Sequence, residues 1–443
     1  LISARNRELT ALVPVAILLT AGFTAVFAQE GPRLDNLSLI YGAYFFAICL
    51  ATHVFLRIRL PAADPYLFPL VALLTAFGLV MIYRIDDSLA RDQANWFVLG
   101  LVLFALTIQF LRDYEVLERY RYTIAAVGLL LLLAPRLPGI GQQVNGAYLG
   151  VKLGPLAFQP AEFSKIAIVV FLASYLREHR EVLIVGARRV LGVTLPPLKH
   201  FGPMLVVWGA SMFMLVFIRD LGSSLMFFAA FLALLYVATG RFSFVAIGMA
   251  MFVVGSWFFA STVPHVHERI EIWLDPYASP TGSGYQILQS IFAQADGGLF
   301  GKGFGQGLIT IPGTDAALLP AAQTDTIYSL IVNEVGLFGA CAVVLIYLLI
   351  AARGFKIALL ASDGFSKLLA TGLTAVFSIQ AFVIIGGVTR VIPLTGVTLP
   401  FISYGGSSIL ANFVLLALLL LISDRARREA AEPGGRALSL GTP

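Results

Sequence analysis

Long apolar runs separated by short polar segments dominate the chain. Runs of roughly 17–25 apolar residues match what a helix needs to cross a hydrocarbon core of about 30 Å, and about twelve such spans are expected here. They fall near residues 10–28, 38–56, 66–83, 94–111, 122–135, 161–176, 201–218, 221–239, 242–261, 326–352, 367–389 and 404–423. The runs lack the short alternation of a membrane β-barrel strand. The expected fold is an all-α polytopic membrane protein. Two outer connections, about 136–160 and 262–325, are too long to be simple links. Within the second, Ile287, Leu288, Ile291 and Phe292 recur at helical spacing, predicting a short amphipathic helix over 285–295 at the membrane surface.

Composition agrees. Of the 443 residues, 58% are hydrophobic and 12% charged, against about 25% charged in soluble domains. Cys49 and Cys341 both lie in apolar segments, so neither a disulfide framework nor a thiolate metal site is expected. The formal charge of +5 is no sign of nucleic acid, because the basic residues are distributed by loop. With both termini cytoplasmic, Arg57, Arg59, Arg112, Arg119, Arg121, Arg177, Arg180, Arg188, Arg189, Lys199, Arg241, Arg353 and Lys356 fall in inner loops. Outer loops hold far fewer, namely Arg33, Arg84, Arg91, Arg136, Lys152, Arg269 and Lys302. "AVFAQE" at 25–30 has the small residues of a signal-peptidase site, but its apolar run is long and another span follows closely, so an uncleaved helix is preferred. The absent initiator methionine suggests a trimmed sequence, and residues 424–443 read as a flexible cytoplasmic tail.

Ionisable residues collect at one end of the spans. Glu162 and Lys165 begin the sixth, Arg219 and Asp220 form the turn between the seventh and eighth, Asp325 opens the tenth and Arg390 ends the eleventh. The assigned orientation puts all of them outside, and charges within spans are candidates for function. Each has a plainer reading. Glu162 and Lys165 suit a helix-surface ion pair, Arg219 and Asp220 a capped turn, and Asp325 an N-cap. Glu334, nine residues after Asp325, lies about 13.5 Å along and on nearly the opposite helix face, so the two cannot serve one bond as acid and base. Glu334 is expected deep in the bundle, protonated or paired with another helix. "HVHE" at 265–268 reads as loop histidines rather than a metal tract. "GGLFGKGFGQG" at 297–307 lacks the Lys-Ser/Thr of a P-loop and follows no strand, so no nucleotide site is expected there.

Five motifs, in order, then point to a family: "NGAYLGVKLGPLAFQPAEFSKIAIVVFLASYL" (145–176), "DLGSSL" (220–225), "GYQILQSIFAQADGGLFGKGFGQG" (284–307), "QTDTIYSLIVNEVGLFG" (323–339) and "IPLTGVTLPFISYGGSSILAN" (392–412). They closely resemble the SEDS (RodA/FtsW) family. The resemblance implies a ten-helix core over residues 65–423, with residues 1–64 adding two N-terminal helices. It implies a peptidoglycan glycosyltransferase that polymerises lipid II at the outer face of the bacterial cytoplasmic membrane, beside a class B penicillin-binding protein. The family's essential aspartate falls on Asp325, and its Glu and Lys fall on Glu162 and Lys165.

That chemistry needs a base to activate an acceptor hydroxyl and positive charge for the departing pyrophosphate, from Lys, Arg or a divalent cation, Mg2+ or Mn2+. Asp325 is cast as base and Lys165 as a pyrophosphate contact. Arg269, Arg390 and Lys152 are further cations, and Glu162 orients Lys165 or joins Asp325 on a metal. Ser403, Gly405 and Gly406 let backbone approach substrate closely at the mouth of the last span. Leu149 stands where many members carry arginine, Arg219 replaces a common proline and Thr398 another. These variants resemble the elongation branch more than the division branch. The competing readings are a lipid II flippase or transporter and a noncatalytic scaffold for the penicillin-binding protein; the first would place its site near the midplane between repeats, and no internal repeat is evident.

Overall fold

The computed structural model describes residues 4–30, 37–144, 147–153, 156–185, 188–190, 193–195, 202, 209, 217, 220–307, 309–311 and 317–431. The helices are α1 (Ala4–Glu30), α2 (Leu37–Arg59), α3 (Leu67–Ile85), α4 (Asp87–Phe110), α5 (Val116–Arg119), α6 (Arg121–Leu133), α7 (Pro160–Val185), α8 (Leu221–Thr239), α9 (Phe242–Thr262), α10 (Pro264–Leu274), α11 (Tyr285–Gly297), α12 (Ile327–Leu360), α13 (Gly364–Val388) and α14 (Gly406–Ala431). Among the described residues, eight helices are long and apolar enough to cross a membrane: α1 to α4, α8, and α12 to α14. The expected spans at 122–135, 161–176 and 242–261 are helices as well. The first is shorter than expected, and the second extends to Val185. The span expected at 201–218 lies largely outside the described residues.

α1 and α2 pair, α1 lying on α3 and α2 on α4, while α14 runs along α4 and α13 packs between α7, α8 and α12. Phe68, Phe104, Phe377, Phe401 and Phe413 fill the centre of the bundle. Small residues let helices close up there: a Cβ on Gly78 of α3 would come within 2.7 Å of the Ile402 backbone. Asp64, at the start of α3, is paired with Arg427 in the last turns of α14. Arg84, in the last turn of the same α3, meets Glu334, so these two clusters mark opposite ends of the bundle.

The two long connections carry more structure than the sequence suggested. The first forms a three-stranded antiparallel sheet, β1 (Gly141–Val144), β2 (Ala147–Leu153) and β3 (Leu156–Phe158). In the second, "HVHE" sits on α10, where His267 pairs with Glu271 one turn on, rather than in a loop. α11, expected at the membrane surface, packs on α12: Asn333 donates to the Ala293 carbonyl and Gln294 to Ser329.

α12 is not the continuous span expected from residue 326. It breaks at Gly336, whose φ of 69° and ψ of −175° are not helical. Residues 327–335 form a short limb whose side chains are buried from Ile327 to Glu334. Residues 337–360 then rise about 36 Å, enough to span a bilayer. A break orphans carbonyls before it and N–H groups after it. The glycine-rich loop supplies partners on both sides. Lys302 and Gly303 donate to the carbonyls of Asn333 and Glu334, both at 2.9 Å, and the N–H groups of Leu337 and Phe338 donate to Gly298 and Leu299 at 3.0 and 3.2 Å. Gly301 has φ of +80°, and a Cβ there would stand 2.2 Å from the Glu334 carbonyl oxygen. No side chain fits.

Glu334 fastens the same joint. It is 1% exposed, accepts a 3.1 Å hydrogen bond from Gly305 N–H, and lies 3.4 Å from Arg84, which itself donates to the Gly307 carbonyl. It therefore pairs with another helix, as the sequence suggested, but at the break rather than deep in a continuous span. Glu334→Leu would strand the Gly305 N–H and Arg84, a loss of about 1–3 kcal/mol per buried unpaired group. It should lower the Tm of the detergent-solubilised protein and expose residues 298–305 to protease; an unchanged Tm would remove this anchoring role.

Candidate active site

Asp325 ends the loop before the buried limb of α12. The chain turns sharply there, with Ala321 at φ of 54° and the N–H groups of Thr324 and Thr326 both donating to the Ala321 carbonyl. Thr326 takes the N-cap position without a side-chain capping bond, and no backbone N–H among the described residues is bonded to the Asp325 carboxylate. The N-cap reading therefore fails, and the carboxylate stays available. Burial pushes the Asp325 carboxyl up to about 6, opposed by the nearby Arg269 cation and the Thr324 hydroxyl.

The segment 392–405 frames that carboxylate. Ser403 Oγ donates to the Thr324 carbonyl at 2.8 Å and Tyr404 N–H to the Gln323 carbonyl at 2.8 Å, so the segment grips the backbone just before Asp325. Gly396, exposed and at φ of +73°, lies between the two charges. A Cβ on it would be 3.6 Å from Asp325 Oδ2 and 3.9 Å from Arg269 Nη2. Arg269, carried by α10, donates to the Leu394 carbonyl.

Glu162 and Lys165 occupy the first turns of α7 beneath this segment. Lys165 is 2% exposed and donates to Glu162 at 2.6 Å and to Gln380 of α13 at 2.7 Å. Gln380 passes the contact on, donating to the Thr398 carbonyl at 2.9 Å. The plain ion-pair reading is thus met, but as a buried brace between α7, α13 and the 392–405 segment rather than a surface pair. Asp220 caps α8 through Ser223, at 3.0 Å to its N–H and 2.6 Å to its hydroxyl. Burial raises the Asp220 carboxyl, Glu162 adds to that, and Arg269 opposes it. Asp325, Arg269, Asp220, Glu162 and Lys165 therefore form one charged cluster at the Arg84 end of the bundle.

Other candidates lie apart or serve packing. Arg390, at φ of 60°, donates to the carbonyls of Trp273 and Leu274, closing the end of α10. Lys152 is exposed on β2, opposite Ala157. Gly405 N–H donates to Gln93 at 3.2 Å, and a Cβ on Gly406 would stand 2.4 Å from the Trp96 ring, so their close approach is to α4. Arg219 lies outside the described residues. Sequence reasoning overlooked Gln380, whose signal was a lone polar side chain within an apolar run, and the Thr395–Gly396 pair, which carried none.

Glu162 is spent on Lys165, and among the described residues no three His, Cys, Asp or Glu side chains gather to hold a metal ion. Among the described residues, Asp325 and Glu162 therefore do not by themselves make a divalent-cation cage.

These side chains make a buried polar cluster at one end of a helical membrane bundle, in which Asp325 is bonded to no backbone N–H among the described residues. The model of the FtsW, RodA and SpoVE family of cell cycle proteins matches residues 65–428. The chain belongs to that family. It is 41% identical over 435 residues, 96% of this chain and 91% of the other, to the peptidoglycan glycosyltransferase RodA of Mycobacterium tuberculosis. The RodA of Mycobacterium leprae is 39% identical over 434 residues, again 96% and 91% of the two chains. A chain solved in work on the structural coordination of polymerization and crosslinking by a peptidoglycan synthase complex superposes with a TM-score of 0.66 at 28% identity, covering 83% of this chain and 98% of its own.

Proposed function

We propose that this chain is a peptidoglycan glycosyltransferase that polymerises lipid II during cell elongation, with Asp325 as general base. Its family membership and its similarity to RodA glycosyltransferases support the activity. The observation that carries the mechanism is Asp325: uncommitted to any cap, half-buried, and poised near neutrality beside Arg269. The acceptor hydroxyl gives its proton to the Asp325 carboxylate as its oxygen bonds to the donor's anomeric carbon. The bond from that carbon to pyrophosphate breaks, and the electron pair leaves on undecaprenyl pyrophosphate. Direct displacement inverts the anomeric centre. Arg269 is the cation nearest the reaction, and Lys165 acts from behind through Gln380. Any Mg2+ or Mn2+ would come with the pyrophosphate, Asp325 being the carboxylate open to it; no step above depends on it.

The cluster faces outside the cytoplasmic membrane by the loop-charge asymmetry, where lipid II is polymerised. A class B penicillin-binding protein is the proposed partner, as the related chain from a synthase complex supports. The base works only when ionised, so activity should climb as pH rises through about 6, the value to which burial moves Asp325. A pH–rate profile of lipid II polymerisation checks this. A profile flat from pH 5 to 8 would remove Asp325 as base.

A further inference from the structure

We propose that residues 394–398 form the cradle for the pyrophosphate of a polyprenyl-pyrophosphate substrate, held by backbone N–H groups and the hydroxyls of Thr395 and Thr398. This rests on the glycosyltransferase reading and names the part of that site that takes the leaving group. Five consecutive backbone N–H groups, at residues 394–398, have no protein partner among the described residues, on a segment that is open to solvent at Gly396 and only part-buried at Leu394, Thr395 and Thr398. The segment is not loose. Its carbonyls are tied at both ends, Leu394 by Arg269 and Thr398 by Gln380.

Two side chains repeat the pattern. Thr395 Oγ1 and Thr398 Oγ1 are both buried without a hydrogen-bond partner, although a hydroxyl can donate one bond and accept two. Fixed donors left idle beside an open, left-handed glycine suit an oxyanion that arrives with the substrate.

The surrounding charge agrees. The start of α8 abuts the segment, since a Cβ on Gly222 would stand 2.1 Å from Val397 and 3.2 Å from Thr395 Oγ1; a helix N-terminus carries partial positive charge. Arg269 stands in front, and Lys165 lies one side chain behind Thr398. Three carboxyls share the region. Asp220 is turned into Ser223 and Glu162 into Lys165, leaving Asp325 beside Gly396, where the acceptor must be deprotonated. Asp325 therefore borders the cradle at Gly396, within reach of a sugar whose pyrophosphate is held there.

Removing an idle hydroxyl should not harm the resting fold, so threonine-to-valine exchange separates binding from packing. Full-length T395V/T398V, titrated with undecaprenyl pyrophosphate, should bind it at least about a hundredfold more weakly than wild type. That follows from losing hydrogen bonds to a charged group. Undecaprenol should bind equally to both proteins. T395S/T398S, which keeps the hydroxyls, should restore the affinity. Inorganic pyrophosphate and an anionic phospholipid, as parallel arms, should compete weakly if the polyprenyl ester is the ligand. Unchanged affinity in the folded double valine variant would overturn the cradle, as would a loss that serine does not restore or tighter binding of the phospholipid. Because this measures product binding, it decides the cradle even if wild type formed no glycan, an outcome that would sink the glycosyltransferase reading instead.

Discussion

Asp325→Asn should reduce lipid II polymerisation by about 10²–10⁴-fold, the range a positioned general base contributes. Asparagine keeps the shape of the side chain and removes only the basic oxygen, so the loss should fall on kcat far more than on KM. Stability should move the other way. A carboxyl whose pKa is raised by folding holds more protons in the folded state, so its ionised form weakens the fold as pH rises from the ordinary carboxylate range through about 6. At pH 7.5 the neutral asparagine should therefore leave Tm unchanged or slightly higher. A variant that is inactive and also unfolded would say nothing of catalysis, which is why Tm is measured on the same sample.

The second large effect concerns the brace. Lys165→Met leaves Glu162 buried and uncompensated, and breaking a buried pair from one side costs about 3–5 kcal/mol. Glu162→Gln with Lys165→Met removes both charges and should recover most of that stability. The recovered protein should still be impaired, because the positive charge behind Thr398 is gone: KM for lipid II should rise while the protein stays folded. Thermal unfolding of the two single variants and the double variant measures the coupling. Additive losses would show that the 2.6 Å contact holds little together.

Much of the bundle was legible because the bilayer demands long apolar runs, and α1 to α4, α8, α13 and α14 follow from that demand. Breaks were less legible. The run that became α12 looks continuous in hydropathy, and its interruption depends on one glycine, Gly336, at a conformation that only the docked glycine loop rewards. The same loop was readable only as what it is not, since its partners lie 31 to 39 residues away along the chain. α10 announced itself by Pro264 in its first turn and by Val266, Ile270 and Trp273 at helical spacing, but its histidines and glutamates drew the eye to polarity.

At the site, the charged residues could be found because carboxylates and lysines are out of place in apolar spans. The structure changed their roles more than their identities. Lys165 was expected to contact pyrophosphate and Glu162 to orient it or join a metal; the structure bonds the two to each other and Lys165 to Gln380. Arg390, named as a further cation for the pyrophosphate, donates to the carbonyls that end α10. The residues that replace them nearest Asp325 are Arg269 and a segment of plain threonine, glycine and valine. The 392–412 motif marked the segment by resemblance, but the chemistry of these residues gave no cue to a role; that comes from hydrogen bonds they do not make.

The central claim, that this chain itself joins lipid-linked disaccharides with Asp325 as base, is tested most directly with purified protein. Wild type and Asp325→Asn, each with and without a class B penicillin-binding protein blocked in transpeptidation, are incubated with labelled lipid II and resolved by glycan length. The account predicts polymer ladders from wild type and none from Asp325→Asn at equal folding. Ladders of wild-type intensity from Asp325→Asn, or lipid II moved across vesicles by wild type with no polymer formed, would contradict it.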